Sequence, residues 1–467
     1  MTRCIVQTEP EPEPEPLPQR VFSTGFGITI RPKQGITDDT SAQVKKPIVT
    51  IITTGVLIPG DGEPLKDAAL VVESKLIAWI GAQSEVPSKY TEASHKSYSV
   101  PYLMPGLWDC HAHFGGDPEV ADGGGDSYLS IISEHPATAA ARLARGCWEA
   151  LQRAYTSLRD VAGYGCEVAR AIDDGTIVGP NAYSAGACLS QTAGHGDVFS
   201  LPAGDVLLNL GVGQVSAGHV GTGMSAIVDG VDECRRAVRL QIRRGARCIM
   251  ILASGGVLSR DDNPLYAQFS PEELRCIVEE ATRQNRVVAA HVHGKPGILA
   301  AVEAGVTTVE HVGFADEECI ELIKKRAQSI SLRSGGKGLS RTTWEKAQLC
   351  GKNHLTAYKF AIQAGVPIAL GTDTSPGFNM AMELDHAVKA GLSSLEAIKA
   401  ATVNGPLSVG GQAPKTGQLK VGYEADVLGL TEDPVEDVNV LQKRETIRWV
   451  WKGGRILKGP GVGPWGE

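Results

Sequence analysis

Residues 270–294 read SPEELRCIVEEATRQNRVVAAHVHG, a helix followed by a strand that ends in two histidines. Ser270 and Glu273 form a capping-box pattern and Pro271 takes the first helical position, so the spacing predicts a helix beginning there. After Asn285 the period changes: VVAA is short, apolar and β-rich, as in a strand buried on both faces. His291 and His293 close the unit at the strand's C-terminal end.

The same rhythm recurs on either side. Eight apolar runs, each followed by Gly or polar residues and a helical pattern, are read as strands: LMPGLWDCHAH, TSLRDVAG, NAYSAGACLS, RCIMILASGG, VVAAHVHG, TTVEHVG, QSISLRS and PIALGTDT. Eight strand–helix units predict an α/β fold, a (β/α)8 TIM-type barrel over residues 101–405. Residues 46–100 and 406–467 are instead rich in hairpin signals, and predict a small β-sandwich built from both chain ends. Residues 1–45, with their Glu-Pro repeat, read as a solvated, disordered tail.

Composition excludes several functions. Net charge is −8, with apolar residues at 42% and charged residues at 21%, so bulk charge recruits neither nucleic acid nor an anionic membrane. No apolar run reaches the roughly 20 residues of a membrane span, and the N-terminus lacks the pattern of a secretory signal, so a cytoplasmic location is expected. The ten cysteines are spread singly, which favours reduced, packed thiols, Cys110 included.

In barrels of this kind chemistry gathers at the C-terminal strand ends. Those ends carry His111 and His113, Arg159 and Asp160, His291 and His293, Glu310 and His311, and Asp373. On an extended strand His111 and His113, at i and i+2, share a face and can converge on one ion. Alone, that pair is as readily a surface turn with two incidental histidines. Five of the eleven histidines on one rim, joined by the Asp373 of ALGTDT, favour a metal centre.

With these motifs the chain resembles the amidohydrolase superfamily from about residue 47 onward. LSQTAGHGD, ASGGVLSRDDNP and AHVHGKPGI are similar to the fungal ochratoxinase group and bacterial Xaa-Pro dipeptidase-type relatives. The resemblance implies hydrolysis of a small-molecule amide, releasing an amino acid from an N-acyl conjugate, in a homo-oligomer. It implies zinc or another divalent metal, two per chain, that makes water available as hydroxide near neutral pH. His111, His113 and Asp373 would hold one ion, and His291 and His311 the other. Asp373 would move the proton from water to the leaving nitrogen. His293, read as lying off the ligand register, would polarise the substrate carbonyl. His195 is a candidate for substrate contact, and Arg159 or Arg260 for a substrate carboxylate, with structural roles equally open.

Two departures bear on activity. Where the family carries a lysine that becomes a bridging carbamate, this chain has Met250. Two dications about 3.6 Å apart repel by very roughly 18 kcal/mol at an effective dielectric of 20, and a thioether supplies no anion between them. One metal per chain is therefore open, as in a single-metal hydrolase or deaminase, and so is a catalytically impaired protein that keeps the fold. Secondly, the loop after strand seven is short and carries Gly335, Gly336 and Gly338.

Overall fold

The computed structural model describes residues 48–115, 135–197, 199, 224–326, 329–332, 341–377 and 381–467. The tail at 1–45 and the glycines of the strand-seven loop lie outside the described residues.

The chain opens with β1 (Val49–Leu57), β2 (Leu65–Glu73), β3 (Leu76–Ala82) and β4 (His95–Pro105). It closes with β15 (Val427–Leu430), β16 (Ile447–Lys452) and β17 (Arg455–Lys458). These seven form one sheet in the order β17-β16-β15-β4-β1-β2-β3. The two ends do meet, but in one continuous sheet rather than two facing ones. The reason is β4, which pairs in parallel with β1 along one edge and antiparallel with β15 along the other. Ile52, Leu70, Leu103, Val427 and Trp451 bury its inner face.

The run LMPGLWDCHAH, expected as one strand, is divided. Leu103, Met104 and Pro105 pair with β15, so this sheet continues past the expected boundary at residue 100. The next strand, β5 (Leu107–Phe114), begins after Gly106, where any Cβ would run into the Thr156 side chain. Glycine lets the chain turn from one sheet into the other at that contact.

Ten parallel strands fill the middle. β5, β6 (Tyr155–Gly163) and β7 (Asn181–Ser184) form one sheet. β8 (Cys188–Ser190), β9 (Ser225–Ile227), β10 (Cys248–Leu252), β11 (Val287–Val292), β12 (Thr308–His311), β13 (Ser329–Leu332) and β14 (Ile368–Leu370) form a second. Its order is β14-β13-β12-β11-β10-β8-β9. All eight expected strand regions are therefore present, arranged as two parallel sheets and not as one closed eight-stranded ladder. NAYSAGACLS is broken into β7 and β8, and β9, three residues long, was not among the strands expected from sequence.

Burial on both faces explains the unbroken apolar runs. Ile249, Ile251, Val288, Ala290, Val292 and Val309 pack with helix residues such as Leu274, Ile277 and Ile298. Cys248, Met250, Leu252 and Ala289 face the other way and meet Val161, Ala162 and Cys188. Helix Pro271–Arg283 carries the expected capping box: Glu273 N–H donates to Ser270 Oγ (3.3 Å) and Ser270 N–H to Glu273 Oε2 (2.6 Å).

All cysteines among the described residues are buried and unbridged, Cys110 included, whose thiol burial pushes up to about 12. Among the described residues no helix is long and apolar enough to cross a membrane.

Candidate metal centre

The site is assembled where β5, β11, β12 and β14 end. Asp373 follows β14 with φ +57°, and His311 ends β12 with φ +67°, followed by Val312 with φ +46°. Such left-handed geometry is costly for residues with a Cβ and persists where surrounding bonds fix it. Here Asp373 N–H donates to His111 O (2.6 Å), His113 N–H to Thr374 O (3.0 Å), and Val312 N–H to Val292 O (3.0 Å). The strained turns aim the Asp373 and His311 side chains at the end of β5.

His111 and His113 converge as the strand pattern suggested. Asp373 Oδ1 lies 2.8 Å from His113 Nε2 and 3.6 Å from His111 Nε2. Among the described residues His111, His311 and Asp373 form a group whose ligand atoms all lie within 4.8 Å of one another. His291 is beside them, its ring centroid 4.6 Å from that of His311. Its Nε2 faces the Gly255 carbonyl at 3.4 Å.

His293 corrects the reading from sequence. Its ring stacks on His311 at 5.0 Å and meets His291 edge-on at 4.9 Å. It stands in the cluster because His291 and His293, at i and i+2 like His111 and His113, leave the end of β11 toward the same face. His195 also joins, stacked on His291 at 4.4 Å.

Arg159 does not face a substrate. It is fully buried: Nη2 donates to Glu310 Oε1 (2.8 Å), Nη1 to Thr308 Oγ1 (3.0 Å) and Ser408 O (3.2 Å), and Nε to Cys110 O. It is a structural ion pair, one of the two roles open from sequence. Arg260 is exposed in solvent, 3.7 Å from Asp261, and among the described residues no ion pair ties it to the cluster.

Glu310, a rim residue given no role from sequence, connects Arg159 to the site. Its Oε2 lies 2.9 Å from His111 Nδ1. Burial pushes this carboxyl up, but Arg159 and His111 outweigh it and hold it at about 2. An anionic Glu310 accepting from His111 Nδ1–H leaves His111 Nε2 directed at Asp373, the orientation a metal-binding imidazole needs. Asp109 is a second residue the sequence did not mark. Its carboxylate accepts from Thr372 Oγ1 (2.6 Å), Thr372 N–H (3.1 Å) and His111 N–H (2.9 Å), tying β5 to the turn that carries Asp373. Only the Asp-x-His spacing of residues 109–111 hinted at it.

Burial pushes His291 and His311 well below the usual histidine range, and neighbouring imidazoles act in the same direction. For His113 burial acts downward but Asp373 outweighs it, so that group is raised. Neutral imidazoles beside one carboxylate are suitable ligands for a divalent transition metal.

Residues 102–457 match the amidohydrolase family. The chain belongs to the amidohydrolase family. It is 60% identical to an ochratoxinase of Aspergillus niger over 90% of this chain and 88% of that enzyme. The crystal structure of A. niger ochratoxinase superposes with a TM-score of 0.84 at 57% identity, over 90% of this chain and 98% of that one. A Xaa-Pro dipeptidase with bound methionine in its active site matches with a TM-score of 0.74 at 25% identity, over 88% and 100% of the respective chains. This amidohydrolase is thus a hydrolase acting on amide bonds, in a family that uses divalent metal.

The donors of this amidohydrolase fit one ion: two imidazoles and a carboxylate converge, backed by Glu310. They do not fit an anion-bridged pair. The inward face of β10 offers Cys248, Met250 and Leu252, with Met250 buried opposite Ala289 and Leu252 opposite His291. None supplies a carboxylate or an amine.

Arg159→Met should destabilise the fold by about 3–5 kcal/mol, because Glu310 is left as an uncompensated buried charge. Arg159→Met with Glu310→Gln should recover much of that loss. Chemical denaturation of both variants measures it, and a single variant within about 1 kcal/mol of wild type would refute the buried-pair account.

Proposed function

We propose that this protein hydrolyses the amide bond between an acyl group and an amino acid, in ochratoxin-like conjugates, with one divalent ion held by His111, His311 and Asp373. The reading is supported by one observation above the rest: a single carboxylate, Asp373, reached by both His111 and His113, with His311 in the same group. Similarity to ochratoxinase supports the choice of bond and substrate class. An ion held by these residues would supply Lewis acidity toward the amide carbonyl and would lower the pKa of a nearby water toward neutrality.

The chain's own residues do the rest. Asp373 Oδ accepts the proton of the attacking water and returns it to the departing nitrogen. His113, bonded to Asp373, holds that carboxylate in line. Glu310 keeps His111 in one tautomer. His293 and His195 border the site beside His291, where His293 polarises the carbonyl and His195 contacts the amino-acid portion. The two parallel sheets act as one (β/α)8 barrel, a reading supported by Arg247 N–H to Ser184 O (2.7 Å) at one seam and Asp373 N–H to His111 O (2.6 Å) at the other.

A second reading, a protein that keeps the fold without turnover, is favoured by Met250 alone. Metal analysis of the purified chain, with a screen of N-acyl amino acids, separates the two. About one ion per chain with amide hydrolysis supports the proposal. Two tightly held ions would refute the single-ion part, and no ion with no hydrolysis would refute the whole.

A further inference from the structure

Outside the metal cluster, one buried polar network has no role in what precedes. Lys346, in helix Arg341–Ala364, donates from Nζ to Ser259 O (2.9 Å), Gly256 O (3.3 Å) and Asp262 Oδ1 (2.9 Å). Asp262 Oδ2 accepts from Gly256 N–H (2.7 Å), and Oδ1 from the Ser259 hydroxyl. The Ser259 Oγ also lies 2.7 Å from His195 Nδ1. Because the hydroxyl has one proton and gives it to Asp262, its oxygen is the acceptor toward His195, so Nδ1 carries the imidazole proton. The order is then His195 Nδ1–H to Ser259, Ser259 to Asp262, and Lys346 to Asp262.

The same loop grips the cluster in two further ways. The Gly255 carbonyl faces His291 Nε2, and a Cβ on Gly256 would run into the Nδ1–Cε1–Nε2 edge of the His195 ring. So the loop of residues 255–262 sets both rings of the His195–His291 stack, and Lys346 is its fastening to a helix 84 residues away from Asp262. Lys346 and Asp262 are largely shielded from solvent, at 13% and 2% side-chain exposure, so the pair is not a screened surface contact.

We propose that Lys346 is a positioning residue: by pinning the 255–262 loop it fixes the tautomer and orientation of His195 over His291, and thereby the grip on the substrate's amino-acid portion. The kinetic consequence rests on the amide-hydrolase reading; the structural one does not.

The test uses the full chain with its metal, in three variants: Lys346→Met, Lys346→Arg and Ser259→Ala. With 15N-labelled histidine, NMR of wild type should show His195, assigned through His195→Asn, with its proton on Nδ1. Lys346→Met and Ser259→Ala should give a mixed or inverted tautomer, and Lys346→Arg should restore the wild-type signature. On an N-acyl amino acid, Lys346→Met should raise KM about tenfold or more with kcat within about threefold, and Lys346→Arg should recover most of it. A wild-type His195 protonated on Nε2, or a Lys346→Met protein with unchanged His195 signals, overturns the proposal. A uniform loss of melting temperature and kcat, with KM unmoved and no rescue by arginine, also overturns it, since that is the mark of a merely structural lysine. If wild type hydrolyses no N-acyl amino acid, the amide-hydrolase reading falls, while the NMR comparison still decides the role of Lys346.

Discussion

Asp373→Asn is expected to lower amide hydrolysis by about 10³-fold or more while leaving the protein folded. Asparagine keeps the shape and is among the few residues that tolerate the +57° φ of this position. It removes the negative charge, however, and with it both the ligand for a metal beside His111 and the acceptor for the water's proton. His113 Nε2, now 2.8 Å from that carboxylate, would be left against a neutral amide. The expected signature is a collapse of kcat, a weaker hold on metal, and a melting temperature within a few degrees of the apo wild type. Retention of more than about a tenth of the rate, against the 10²–10⁴-fold that positioned proton transfer supplies, would show that Asp373 is not the proton carrier.

The second large effect concerns Met250. Wild type should bind about one metal per chain, and Met250→Lys should take up a second. The side chain at 250 lies on the inward face of β10, level with Ala289 and two pairing steps before His291. A lysine there can react with carbon dioxide to give an anionic carbamate, the charge that two neighbouring dications require. Activity on an N-acyl amino acid should rise about tenfold or more and respond to added bicarbonate. Without metal the variant should melt below wild type, because an unpaired ammonium among Cys248, Leu252 and Ala289 is costly. Metal with bicarbonate should reverse that loss by linkage. Two tightly bound ions with full turnover in wild type would sink the idea. A variant that gains neither ion nor rate would move attention from Met250 to the loop after β13.

The amino-acid sequence by itself determined the eight strand regions, because each is a short apolar run buried on both faces and bounded by helix signals such as Ser270 and Glu273. It also pointed to His111, His113, His291, His311 and Asp373 as one group, since all lie at strand ends that a parallel αβ fold brings to one side. The tertiary structure alone decided what stands behind them. Glu310 reaches His111 across 199 positions of sequence, and Lys346 reaches Asp262 across 84, distances over which no local pattern carries information. Arg159 could be assigned to a substrate or to an ion pair until its surroundings were seen to be Glu310, Thr308 and backbone carbonyls. The division of LMPGLWDCHAH between two sheets was likewise hidden, because an apolar run shows that it is buried and not against which neighbour; the crowding of Gly106 against Thr156 settles that only once both strands are in place.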